Sequence, residues 1–167
     1  IINEFKNETP VFFVLTNSRS LTEEKSTLIY QEILKNILKA SEITKRNFTI
    51  ISRSDSTLRG HFSEIETIKQ SEHFNDAMTV FIPVMFEGGR VTVNDIHYIN
   101  ENEHLIPVNQ TAFSKDHTFA YTHANLKAYI EEKTKGRIKT DAIFSLDIES
   151  IRPLGVKALS TQISTIE

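Results

Sequence analysis

The chain has 167 residues, enough for one domain with a real core, and an ordinary globular composition rather than a disordered one. Lysine and arginine number 19 against 22 acidic residues, a net charge of -3, so no global field favours nucleic acid or an anionic membrane. Cysteine is absent, which excludes disulfides and thiolate chemistry, and neither a transmembrane-length apolar stretch nor a signal-peptide pattern occurs.

The default location is therefore the cytoplasm. The chain opens at Ile1 rather than Met and closes within a helical pattern, which reads as a piece of a longer polypeptide.

Val11 to Leu15 is a continuous apolar run, the pattern of a buried parallel strand. The polar loop Thr16-Asn17-Ser18-Arg19 follows. Ser20 and Glu23 stand in the capping-box relation and predict a helix start. Ile29, Ile33 and Ile37, beside Tyr30, Leu34 and Leu38, make one apolar stripe along that helix. Phe48 to Ile51 is the next expected strand.

The segment Asp55-Ser56-Thr57-Leu58-Arg59-Gly60 then places a carboxylate, two hydroxyls, a guanidinium and a glycine in six consecutive positions. Phe62, Ile65 and Ile68 continue as a helix face. A strand end passing through a polar loop into a helix is where α/β proteins bind small polar ligands. Gly60 lets a backbone approach a ligand, and Arg59 can hold a carboxylate or phosphate by two bonds. Ser56 and Thr57 can donate to ligand oxygens, and Asp55 can accept from hydroxyls or orient Arg59. The same residues also make an ordinary N-cap with a surface arginine.

Met78 to Ile82 predicts a third strand, closed by Pro83 and followed by the loop Glu87-Gly88-Gly89-Arg90. Residues 90 to 99 alternate loosely, Asn100 to Glu103 read as a turn, and Leu105 to Val108 can return as a partner strand, a β-hairpin excursion near residues 90–110. Leu126, Tyr129, Ile130 and Lys133 predict a helix ending at Gly136. Ala142 to Leu146 is a short strand, and Val156, Leu159, Ile163 and Ile166 keep helical spacing. Alternating strands and helices predict an α/β fold with a mostly parallel sheet flanked by helices. On one sheet edge the loops bearing Ser18 and Arg19, the 55–60 segment, and Gly89 and Arg90 would converge on a small anionic, hydroxylated molecule.

Other chemistries find no motif. There is no Walker loop, no Gly-x-Gly-x-x-Gly, no Gly-x-Ser-x-Gly and no His-x-x-x-His pair, so neither a nucleotide phosphate cradle nor structural zinc is indicated. His61 alone lies next to the first loop.

At these residues the sequence resembles the four-carbon acid sugar kinase family, in its N-terminal sugar-binding domain. The carriers, in order, are Thr16 to Ser20, the six-residue segment 55–60, Pro83 through Glu87 with Gly89 and Arg90, and Thr111-Ala112-Phe113 with Asp116. The resemblance covers roughly Val11 to Pro153. It implies an enzyme in which ATP phosphorylates a hydroxyl of a threonate, erythronate or 3-oxo-tetronate. The substrate then lies against a C-terminal nucleotide-binding domain that holds ATP and Mg²⁺ in the full-length protein.

The resemblance makes Arg59 and Arg90 partners for the sugar-acid carboxylate, with Arg19 a further contributor. Asp55 and Ser56 become partners for the hydroxyls, and Asp55 is the one local candidate for a base. Residues 1–167 would then be a single sugar-acid-binding domain, inactive alone, binding no nucleic acid or membrane; a homodimer is compatible with it. The sequence departs from the family at Ser52, where lysine is common, His61, where asparagine is, Phe86, where proline is, and Asp95, where glycine is. The family's opening Asp-Asp-x-Thr-Gly strand has no counterpart here. The alternative is a stand-alone sugar-acid sensor on the same fold, without catalysis.

Overall fold

The computed structural model describes residues 1–7 and 10–166, with nothing described of the Leu154 side chain. Five α-helices are described: α1 (Ile2–Lys6), α2 (Glu23–Thr44), α3 (Ser63–Lys69), α4 (Leu126–Lys133) and α5 (Ile148–Ile163). The described strands are β1 (Arg90–Val93), β2 (Ile96–Glu101) and β3 (His104–Pro107), one antiparallel sheet in the order β1-β2-β3. The chain divides into two compact units. The first comprises Ile1–Asp55 and Arg59–Phe81, the second Ser56–Leu58 and Ile82–Glu167.

The expected parallel sheet does not form. Val11–Leu15, Phe48–Ile51, Met78–Ile82 and Ala142–Leu146 contain no strand. An apolar run states a local preference, whereas a strand exists only when another backbone pairs with it. In the first unit the runs bury only part of their apolar surface. Phe12 and Phe48 pack with Ile33 around Phe5, Ile37 and Ala40. Phe5 meets both rings edge to face, at 5.7 Å and 5.8 Å between centroids. Phe13 and Leu15, by contrast, are 93% and 91% exposed.

Helix α2 starts later than the capping box suggests. Thr22 is its N-cap and accepts from the Lys25 amide, while the Ser20 hydroxyl donates to the Asn17 carbonyl in a 3₁₀ turn, Ser18–Ser20. Helices α2 and α3 are joined by a buried bond, Ser26 Oγ to Glu64 Oε1 at 2.9 Å. Tyr30 lies near Glu64, Ser52 and Thr16. Burial, then the Glu64 charge, raises its pKa above the usual tyrosine value.

In the second unit the expected hairpin is a three-stranded meander. Both of its turns have two residues at positive φ: Asn94 and Asp95 at 49° and 63°, Asn102 and Glu103 at 51° and 66°. Two-residue hairpin turns of this hand need that conformation, and Asn and Asp adopt it more readily than most residues. Helix α4 is capped by Asn125, whose Oδ1 accepts from the Lys127 and Ala128 amides. It closes at Gly136, whose amide reaches back to the Glu131 carbonyl at φ +77°. Helix α5, with Asp147 as N-cap, is broken at Gly155, φ 64° and ψ 169°, so the spacing read from Val156 onward belongs to its second part.

Directly opposite Thr92 in the β1–β2 register sits His97, fully buried. Its Nδ1 lies 2.9 Å from Thr92 Oγ1 and its Nε2 lies 2.8 Å from the Ser56 carbonyl. A carbonyl only accepts, so Nε2 carries the hydrogen; in the neutral ring Nδ1 then accepts, and it competes with the Pro83 carbonyl, 3.2 Å away, for the single hydrogen of the Thr92 hydroxyl. Burial lowers the His97 pKa; the Ser56 carbonyl opposes the shift and the Arg90 charge adds to it.

The unfolded chain therefore takes up this proton before the folded one does. Stability from neutral His97 is complete above the unfolded value of 6.5 and is lost as pH falls below it. We expect the thermal midpoint to drop between pH 7.5 and 5, measured by circular dichroism. His97→Gln should flatten that part of the profile.

Candidate functional site

The 55–60 segment contributes to both units. Asp55, Arg59 and Gly60 belong to the first, and Ser56, Thr57 and Leu58 to the second.

In the first unit, two arginines share one carboxylate. Arg19 Nη1 reaches Asp55 Oδ2 at 2.8 Å, and Arg59 Nη2 reaches the same oxygen at 3.2 Å, with Nε 3.5 Å from Oδ1. The side chains of Asp55 and Arg59 are 16% and 17% exposed, whereas that of Arg19 is 53% exposed. Sequence separation gave no reason to pair Arg19 with Asp55. The 3₁₀ turn that positions Arg19 starts from Asn17 in the left-handed region, φ 53°. Ser18 sits at its start and meets Thr16 Oγ1 through its hydroxyl, 3.2 Å, and its amide, 3.4 Å. At Gly60 a Cβ would collide with Ser54 Oγ, so any larger residue there displaces the Ser54 hydroxyl. His61, the histidine marked by the sequence, places Nε2 2.9 Å from the Leu21 carbonyl.

In the second unit, Ser56 and the Gly88-Gly89-Arg90 loop come together. Met85 and Arg90 pair backbone to backbone, at 3.0 Å and 2.9 Å, and close a 3₁₀ turn, Phe86–Gly88. Gly89 completes the turn at φ +70°, and a Cβ there would press on the Asn100 carbonyl. The Ser56 hydroxyl lies 3.5 Å from Met85 Sδ. A Cβ at Gly88 would meet the same sulfur at 3.1 Å and would strike Arg90 Nη1, so Ser56, Met85, Gly88 and Arg90 are successive neighbours.

The Arg90 guanidinium folds back on the Gly88 carbonyl and lies 5.9 Å from the centre of the Phe113 ring. Its Nε is buried and meets no acceptor among the described residues, and no described carboxylate pairs with it. Thr57 is 2% exposed, so the half-buried Ser56 presents the more accessible of the two hydroxyls.

Three residues that sequence reasoning did not place at the site hold this tip. The Ser56 carbonyl accepts from His97, the Thr57 carbonyl from Tyr121 Oη at 2.9 Å, and the Leu58 carbonyl from Tyr129 Oη at 2.6 Å. The one available signal was the type of residue. A histidine on the inward side of an alternating strand and two tyrosines in apolar surroundings all carry donors that burial obliges them to use.

The family model for the sugar-binding N-terminal domain matches residues 1–165. The chain belongs to that family, the N-terminal domain of four-carbon acid sugar kinases. No curated protein and no solved structure matches it.

The exposure of the two arginines sets their weight in the first unit's cluster. Removing Arg19 takes away an exposed partner, and we expect Arg19→Ala to cost less than about 1 kcal/mol. Asp55→Ala leaves two guanidiniums together without their carboxylate, and we expect roughly 1–3 kcal/mol. Urea denaturation of the two variants checks this order.

Proposed function

We propose that this chain holds the acceptor of an ATP-dependent kinase that phosphorylates a hydroxyl of a four-carbon sugar acid, of the threonate, erythronate or 3-oxo-tetronate class. Family membership supports a sugar ligand. The acid is supported by one observation, the unsatisfied state of Arg90. A guanidinium has five donors in a planar fork and gains most from a carboxylate met by two of them. Here one nitrogen rests on a backbone carbonyl and the buried Nε has no acceptor. A ligand carboxylate supplies what is missing.

The hydroxyls of the same ligand fall to Ser56, whose present partner is a thioether, a weak acceptor. Gly88 and Gly89 keep side chains out of this space. In the first unit, Arg19 and Arg59 both meet the Asp55 carboxylate. Both oxygens of Asp55 already face guanidinium nitrogens, so we assign it to orienting those arginines rather than to removing a proton. Thr57, Gly60 and Ser18 shape the loops that carry these groups.

In this reading ATP and Mg²⁺ are held by a C-terminal nucleotide-binding domain, and ATP supplies the transferred phosphoryl group. Among the described residues no group of three or more His, Asp or Glu side chains is placed to hold a metal ion. No residue of this chain is assigned to either cofactor. Its own part is to bind the acceptor and fix the direction of its hydroxyls, which is where much of phosphoryl-transfer catalysis resides. Among the described residues no helix is long and apolar enough to cross a membrane.

Calorimetric titration with L-threonate tests the site. We expect the wild-type chain to bind and Arg90→Gln to weaken binding by at least about tenfold, the loss of one charge-assisted pair. Unchanged affinity in Arg90→Gln overturns the assignment.

A further inference from the structure

Three consecutive backbone carbonyls, at Ser56, Thr57 and Leu58, are each taken by a different buried side chain, at 2.8 Å, 2.9 Å and 2.6 Å. The donors come from β2, from the segment between β3 and α4, and from α4 itself. His97, Tyr121 and Tyr129 are 0%, 4% and 2% exposed. The two tyrosine rings brace each other edge to face, 5.5 Å between centroids. Leu58 is held at φ 65°, a left-handed conformation that a non-glycine residue rarely keeps unaided. The Ser56 carbonyl bond fixes the peptide plane directly after the Ser56 Cα, and the next two hold the turn against which that plane rests.

We propose that His97, Tyr121 and Tyr129 are positioning residues for hydroxyl recognition, aiming the Ser56 hydroxyl at a ligand hydroxyl while Arg90 holds the carboxylate. The inference rests on the sugar-acid reading above and divides that site into two separable functions. The three donors act only through backbone atoms of the signature segment. Loosening them therefore changes how the ligand's hydroxyls are read and leaves the guanidinium where it is. Ser56 is suited to the role because its hydroxyl, beside Met85 Sδ, has no strong partner to give up.

Tyr121→Phe and Tyr129→Phe each remove one hydroxyl and keep the ring packing. Binding is read by two-dimensional NMR titration, which follows millimolar affinities, with L-threonate and with butanoate, a four-carbon acid without hydroxyls. In the wild-type chain threonate should bind more tightly. Either Tyr→Phe variant should reduce that advantage by about fivefold or more, with butanoate affinity unchanged. Ser56→Ala leaves all three carbonyl bonds in place and should erase the same advantage.

A general loss of structure weakens both acids alike, and that result overturns the inference, as does an unchanged ratio in the tyrosine variants or in Ser56→Ala. Failure of the wild-type chain to bind either acid overturns the sugar-acid reading and this inference with it. Binding of both acids with the ratio intact in every variant sinks the inference alone.

Discussion

The second unit depends on an obligation created by burial. A backbone carbonyl removed from water must find a donor or lose on the order of 1–3 kcal/mol. The tip of the signature segment presents three such carbonyls in a row, and the unit answers with His97, Tyr121 and Tyr129. The elements carrying these donors are otherwise unrelated: an antiparallel strand, an irregular segment and a short helix. What they share is the tip they hold. The left-handed Leu58, which costs roughly 1–3 kcal/mol for a side chain with a Cβ, is tolerated because the conformation is fixed from three sides.

The same obligation identifies where the structure is incomplete. Most of the buried polar atoms among the described residues are satisfied: Glu64 by Ser26, His97 by Thr92 and Ser56. Arg90 Nε is an exception among the described residues. An unmet donor at a structural position would be selected against as a plain loss of stability. An unmet donor on a guanidinium beside two glycines and a weakly engaged hydroxyl is better placed to serve a ligand.

Part of the candidate site's geometry was legible in the sequence because it is local. Asp55, Arg59 and Gly60 are four or five residues apart at most, and the glycine pair announces its turn. The link between Ser56 and the Gly88-Gly89-Arg90 loop could be argued only from an assumed sheet edge, and that sheet is absent. The loops meet instead through Met85 and the antiparallel pairing of Met85 with Arg90. The Arg19–Asp55 pair, 36 residues apart, and the carbonyl clamp, 41 to 71 residues apart, depend on folding and leave no periodic trace. The parallel sheet was misread for the converse reason. Runs such as Val11–Leu15 have strand composition, but pairing is a property of two segments and composition describes one.

Charge ties the local and global descriptions together. The chain as a whole is negative, by 3, so a large polyanion is repelled at long range. In the second unit Arg90 is a local exception, a guanidinium that no described carboxylate meets. Screening confines its field to about 10 Å at ordinary ionic strength. A ligand that profits must bring its negative charge into that short range without exposing a larger anionic body to the rest of the surface. A small acid meets the condition, and its hydroxyls are then within reach of a side chain as short as serine. On the proposed reading, the contrast between a negative chain and the guanidinium of Arg90 favours a small acid before any question of shape arises.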